Sequence, residues 1–193
     1  MTISRRTTLL LGLASVLGAC SSNPPEVPLP SGKSIALVNP SFTVGGSGSL
    51  AGWHQVEHMT GNSYTFELET TDARSAPASA RIRRYGPEFF GLLEQRVRVQ
   101  PAWIGKTVRL SGYLRTQGAT GTGGALILQA RDGSDSILAH NHMDDRRVRG
   151  DQVWQRYDIA LKIPPGTWAL QVGVMLQDDG TLWADDLALD LMD

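Results

Sequence analysis

Six arginines, Arg81, Arg83, Arg96, Arg98, Arg109 and Arg115, take the outward phase of strand-like runs, and Tyr113 joins them. A guanidinium fork binds carboxylate or phosphate through two parallel hydrogen bonds. If one sheet carried all of these strands, its face would be a basic platform with an aromatic ring in it. The plainer arrangement is a solvated face on which the arginines pair across strands with Glu67, Glu69 and Asp158. His140-Asn141-His142, followed by Asp144 and Asp145, has a second kind of spacing. Residues at i and i+2 put two imidazoles on one strand face, as a metal would need. The sequence fixes no third ligand, although His54 and His58 remain to contribute. The pattern is read as a polar strand end, and no cofactor is expected.

Catalytic patterns are missing from the chain. It has no Gly-x-Ser-x-Gly, no His-Glu-x-x-His, and one cysteine, Cys20. Carboxylate pairs such as Asp178-Asp179 lie at turn positions and not astride a cleft. The chain is therefore expected not to be an enzyme. Its 18 basic and 19 acidic residues leave a formal charge of −1, which removes the strongly basic surface that nucleic-acid binding needs. A single cysteine excludes an internal disulfide and the usual cysteine-rich zinc sites.

The elements that must position these side chains read as strands. From Ile35 onward no amphipathic helix stands out. Tyr64–Thr70 alternates with Tyr64, Phe66 and Leu68 on one face and Glu67 and Glu69 on the other. Gln95–Val99 and Val108–Leu114 do the same with arginines outward. Tyr157, Ile159, Leu161 and Ile163 share a face, as do Leu170, Val172, Val174 and Leu176. Period-two burial of this kind predicts an all-β, two-sheet sandwich. Gly45–Gly48 and Gln117–Gly124 are read as flexible strand connections, since no helix follows to present its N-terminus to a phosphate. Pro164-Pro165-Gly166 is read as a tight turn.

Ahead of this domain stand two shorter segments. Residues 1–19 carry Arg5 and Arg6 and then an apolar run of about 13 residues. That is short of the roughly 20 needed to span a bilayer but suits a signal peptide. Residues 20–34 are rich in proline and small polar residues, a semi-rigid tether able to reach some 40 Å at about 3.1 Å per residue. The β-sandwich is placed at 35–193 and expected to be a monomer.

Leu17-Gly18-Ala19-Cys20 resembles the lipobox of bacterial lipoproteins. That resemblance implies acylation of the Cys20 thiol and stable anchoring in membrane lipid. Ser21, in place of an aspartate, implies sorting to the outer membrane. Ser4-Arg5-Arg6-Thr7-Thr8-Leu9 is similar to a twin-arginine export signal with Thr8 where phenylalanine is usual, and an ordinary secretory n-region is the alternative.

The domain itself resembles family 4/9-type carbohydrate-binding modules. The resemblance rests on Asn39-Pro-Ser-Phe42 with Gly52-Trp53, on Leu93–Val97 before Gly105-Lys106, on Leu110 and Tyr113, and on Trp154–Tyr157. It closes on Leu182–Leu187. It implies a galactose-binding-like jelly roll and a glycan ligand. The stretch Asp144–Gly150 to Trp154 also resembles sandwich domains found beside bacterial regulators. Sugar binding would need exposed rings for the flat C–H faces of a pyranose, with planar polar side chains around them. Trp103 and Trp154 are the candidate rings, with Tyr113, Arg96, Arg98 and Arg109 as polar or aromatic partners. Trp53, Trp168 and Trp183 are assigned to the core. In many relatives the counterparts of Asp185 and Asp186 ligate calcium, with a glutamate where this chain has Thr43. Asp185 shares the phase of Trp183, Leu187 and Leu189, so it is expected to point inward and to be satisfied by hydrogen bonds. Two functions stay open: binding a glycan, or holding an envelope protein.

Overall fold

The computed structural model describes residues 32–43, 50–59 and 61–192. The signal segment, Cys20, the tether up to residue 31 and the Gly45–Gly48 connection lie outside the described residues. Among the described residues ten strands occur in chain order: β1 Lys33–Ile35, β2 His54–Glu57, β3 Tyr64–Glu69, β4 Ser79–Arg84 and β5 Phe90–Arg98, then β6 Thr107–Arg131, β7 Ile137–Asn141, β8 Val148–Lys162, β9 Ala169–Gln177 and β10 Thr181–Met192. The only helical element among the described residues is a 3-10 turn, Pro101–Trp103. Lys33 and Ser34, which the composition places in the tether, already pair with Leu191 and Asp190.

All pairings are antiparallel, and the main path runs β2-β5-β9-β6-β10-β4-β3. At its centre β6 is 25 residues long. Its second half, Gly123–Arg131, pairs with β9, and its first half, Thr107–Gln117, pairs with β10. β7 flanks the second half and β8 the first. The path therefore folds into two layers, sheet A (β2-β5-β9-β6-β7) and sheet B (β3-β4-β10-β6-β8, with β1 beside the end of β10). This is an all-β jelly-roll sandwich.

The turn of β6 falls at Gln117–Gly124, the stretch read from sequence as a loop. It is strand instead. Gly118, Gly121 and Gly123 adopt φ of 60°, 58° and 83°, a region open to glycine because it has no Cβ. The pairing with β8 slips three times between Leu114 and Gly124. Successive bulges bend a strand without ending it.

Alternation fills the space between the layers. Leu93, Leu126, Leu128, Leu170, Val172 and Val174 from sheet A meet Ile82, Leu110, Leu114, Ile159, Leu182 and Leu189 from sheet B, all fully buried. Each such side chain contributes roughly 1.5–3 kcal/mol relative to exposure. The N-terminal motif closes one end: Phe42 packs on Trp53 with ring centroids 5.3 Å apart, and Trp53 Nε1 donates to Asn39 O at 3.0 Å.

A second bulge corrects the reading of β10. Its register against β6 shifts between Asp185 and Ala188. Before the shift, Trp183 and Asp185 stand beside Arg115 and Tyr113 on the outer face of sheet B. After it, Leu189 pairs with Leu110 and points inward. The shared inward phase of Trp183, Asp185 and Leu189 therefore does not exist. Asp185 is buried all the same, because the segment between β3 and β4 crosses over it. Ser75 N donates to Asp185 Oδ2 and Asp186 N to Oδ1, each at 2.8 Å. The Asp186 carboxylate accepts the hydroxyls of Ser41 and Ser75 at 2.9 and 2.7 Å.

Burial pushes the Asp185 carboxyl up to about 6, against the backbone hydrogen bonds that favour its charge. Unfolded, the group ionises near its ordinary value, so native stability falls as pH rises from about 4 to about 6. The full loss is on the order of 3 kcal/mol. Asp185→Asn turns a donor toward one backbone N–H and is expected to destabilise by about 1–3 kcal/mol at low pH. It also removes the ionisation penalty. The gap in melting temperature between wild type and Asp185→Asn is thus expected to shrink by several degrees between pH 4 and pH 7. A gap that does not change with pH would contradict this account of Asp185.

Candidate functional site

The register of sheet A builds a polar row across four strands. Arg96 on β5 stands opposite Gln171 on β9, Gln171 opposite Gln129 on β6, and Gln129 opposite His140 on β7. Their chain neighbours Leu128, Ala130, Leu170 and Val172 fill the core, so the row faces outward. The adjacent rung is His54, Glu94, Gly173 and Ile127. A Cβ on Gly173 would come within 2.1 Å of Leu93 O, so glycine is what lets β9 approach β5 here.

Hydrogen bonds fix these planar side chains in place. Gln171 Nε2 donates to Glu94 Oε2, and Arg131 Nε donates to Gln171 Oε1. Arg96 Nε lies 3.6 Å from Glu94 Oε1. Burial pushes the Glu94 carboxyl above its ordinary value, although Arg96 and Arg131 oppose the shift. Arg96 also grips Asp135 with both terminal nitrogens, at 2.7 and 3.2 Å. That pairing holds Asp135 below the usual carboxylate range. At the other end of the row, the Gln129 amide lies 2.9 Å from His142 Nε2. Burial pushes His142 down to about 4, so its imidazole is neutral at pH 7.

A tryptophan stands beside the next rung, where Arg98 and Arg131 both pair with Ala169. Trp168 precedes β9, is 49 % exposed, and carries the Arg98 guanidinium 3.8 Å from its ring centroid. Its backbone is pinned on both sides, with Trp168 N donating to Arg131 O at 2.7 Å and its carbonyl accepting from Val99 N at 3.1 Å. Beside it is a groove of about 470 Å³ lined by Arg98, Gln100, Pro101, Ile104, Thr167 and Trp168. A half-exposed ring next to fixed amides and guanidinium groups suits a ligand with both apolar faces and hydroxyls.

The sequence-derived site is divided by the structure. Arg96 and Arg98 belong to this face of sheet A. Arg81, Arg83, Arg109, Arg115 and Tyr113 lie on the opposite side of the molecule, on sheet B. No single arginine platform exists. The charges of the sheet B face are mostly paired within it instead. Arg109 is buried against Asp190 at 3.1 Å, Arg81 pairs with Glu67 and Glu69, and Arg74 covers the Tyr113 ring at 4.5 Å. Trp154 Nε1 donates to Asp72 Oδ1 at 2.9 Å, and Asp72 also binds Arg115, whose guanidinium covers the buried Trp183. Trp103 sits in the 3-10 turn, partly buried against the core. Trp53 is in the core as expected, but Trp168 is not. Glu94, Gln129, Gln171 and Trp168 were missed. For three of them a signal was available: a glutamine within each of the apolar runs ALILQAR and ALQVGVML, and a tryptophan one residue after a Pro-Pro-Gly turn.

No family model matches the chain. Over 91 residues, 47 % of its length, the chain is 28 % identical to an uncharacterised HTH-type transcriptional regulator, YbfP, of Bacillus subtilis (strain 168). It spans only 30 % of that protein. Among solved structures it is similar to the enzymatically active domain of tailspike protein 4 from bacteriophage CBA120, with a TM-score of 0.60 at 12 % identity, covering 83 % of this chain and 21 % of that one. It is also similar to the CBM22-1 xylan-binding domain of Xyn10C from Paenibacillus barcinonensis, with a TM-score of 0.56 at 15 % identity, covering 84 % of this chain and 97 % of that one. At such identities the likeness establishes the fold, a β-sandwich of the carbohydrate-binding-module kind.

Proposed function

We propose that the domain binds a glycan on the outward face of sheet A, without catalysis. One observation carries this reading: the row Arg96–Gln171–Gln129–His140, fixed in register, with half-exposed Trp168 under Arg98 just before β9. Exposed guanidinium groups and an imidazole, held over the buried amides of Gln129 and Gln171, match the vicinal hydroxyls of a sugar, and an indole matches its C–H face. The fold shared with a xylan-binding domain and the family 4/9-type motifs around Asn39–Phe42 and Leu182–Leu187 support the same reading. For catalysis, hydrolysis of a glycoside needs a carboxylate pair with one member free to donate a proton. On this face Asp135 is tied to Arg96 and Arg131, and Glu94 is buried against Gln171. The chain is further proposed to be an outer-membrane lipoprotein, held by acyl chains on Cys20 and otherwise monomeric.

A second reading, docking of an envelope protein, is favoured by a different end of the sandwich. Met59, Tyr85 and Phe89 are 73, 62 and 61 % exposed, with His58 edge-on to Phe89 at 5.3 Å. Beside them the unpaired edges of β2 and β3 border a groove of about 580 Å³. If this end holds a partner, the double variant Tyr85→Ser/Phe89→Ser abolishes cross-linking to it and leaves glycan affinity as it was.

A glycan array on the chain, followed by calorimetry on the best ligand, tests the leading reading. Trp168→Ala and Arg98→Ala are each expected to weaken binding about tenfold, in keeping with roughly 1–1.5 kcal/mol for a stacked ring or a polar contact. Trp154→Phe, on the other face, leaves affinity unchanged. Loss on Trp154→Phe with Trp168→Ala unaffected would refute the assignment of the face. For the anchor, Cys20→Ser is expected to accumulate as precursor and to take up no labelled palmitate. Continued acylation of that variant would remove the basis for the membrane location.

A further inference from the structure

From the geometry we infer that His140, His142 and Asp144 form a binding site for a divalent transition cation of the zinc class. The potential ligand atoms of the three lie within 4.8 Å of one another. His140 ends the polar row on β7, and His142 follows the strand with its ring centroid 4.8 Å away. Met143 at φ 56° then reverses the chain, which is what returns Asp144 to the two imidazoles. His54 and His58 are not part of the cluster.

Three features preorganise the loop. Met143 is fully buried, with its sulfur 3.2 Å from Leu126 N. Asn141 accepts from Met143 N at 3.2 Å and donates to Ala160 O at 3.1 Å, tying the turn to β8. Arg147 Nη2 donates to Asp144 Oδ1 at 2.9 Å, orienting the carboxylate and leaving the other oxygen to a cation.

An independent observation comes from Gln129. It is 93 % buried by its 7 % exposure, and among the described residues no donor reaches its Oε1. Its amide meets His142 at Nε2. Turned by 180°, the amide places Oε1 on Nε2–H. The Nδ1 lone pair of His142 is then left to the metal. A ligating histidine ordinarily hands its other N–H to such an acceptor.

Two imidazoles and one carboxylate suit zinc, nickel or copper. Calcium and magnesium want an all-oxygen shell. Tetrahedral zinc with ligands at about 2.0–2.2 Å would space them about 3.3 Å apart. Exposed His140 and Asp144 therefore close by side-chain rotation, and the remaining position opens to solvent. The site is read without any glycan, so it stands or falls separately from the function proposed above.

Zinc chloride added to the full chain tests it by calorimetry and thermal melting. Zinc in molar excess is expected to bind with unit stoichiometry and raise the melting temperature by several degrees, with no response to magnesium. His140→Ala and Asp144→Asn each abolish the shift, and both are exposed positions whose change spares the core. Gln129→Met, which keeps all three ligands, weakens binding by about tenfold. The control His54→Ala/His58→Ala keeps wild-type affinity. Wild type that melts unchanged in zinc overturns the inference, and so does zinc stabilisation that survives His140→Ala.

Discussion

β6 pairs with β7 and β9 in one layer and with β8 and β10 in the other, so the angle at which it turns sets the whole sandwich. Bending a strand while keeping its hydrogen bonds needs residues that tolerate left-handed backbone, and Gly118, Gly121 and Gly123 supply it. A loop at the same place would free the two halves to choose separate registers. A continuous strand does not. The outward phase on sheet A is thereby locked to the outward phase on sheet B through one backbone.

That lock sends the polar residues to two faces with different fates. On sheet B the segment between β3 and β4 folds across the strands, and nearly every charge finds a partner: Asp72 on Arg115 and Trp154, Glu67 and Glu69 on Arg81, Asp190 on Arg109. Those contacts stabilise the layer and leave little for a ligand to recognise. Sheet A keeps Arg96, Arg98, His140 and one indole exposed, over the buried amides of Gln129 and Gln171. There Arg96 and Arg131 pair with Asp135, while Arg98 lies over the Trp168 ring. Gln171 binds Glu94 and Arg131, Trp168 is pinned through its backbone, and the ring remains half-exposed.

Strand phase in the core was readable because burial is a property of single strands. Leu170, Val172, Val174 and Leu176 face inward as their alternation requires, and so do Val108, Leu110 and Leu114. What periodicity cannot carry is which sheet a strand joins. Arg96 and Arg109 have the same outward phase but emerge on opposite sides, because β5 pairs β9 while the first half of β6 pairs β10. Bulges defeat it too. The slip after Asp185 inverts the phase between Trp183 and Leu189, and the carboxylate is buried by a crossing segment that no local pattern announces. Trp168 was misassigned for a related reason: alternation was extended past the start of β9 into a turn, where it no longer applies. Cation–π contacts such as Arg98 on Trp168 and Arg115 on Trp183 join residues more than fifty positions apart and leave no trace in spacing.

The two outer faces are unequal, and sheet A is the one proposed to receive a glycan. Chemical-shift mapping by NMR, with the strongest ligand from an array as probe, tests this most directly. Side-chain amide signals of Gln129 and Gln171 and the indole N–H of Trp168 are expected to move on titration, while the indole signals of Trp154 and Trp183 stay still. Shifts confined to Trp154, Trp183 and the arginines of sheet B would contradict the account.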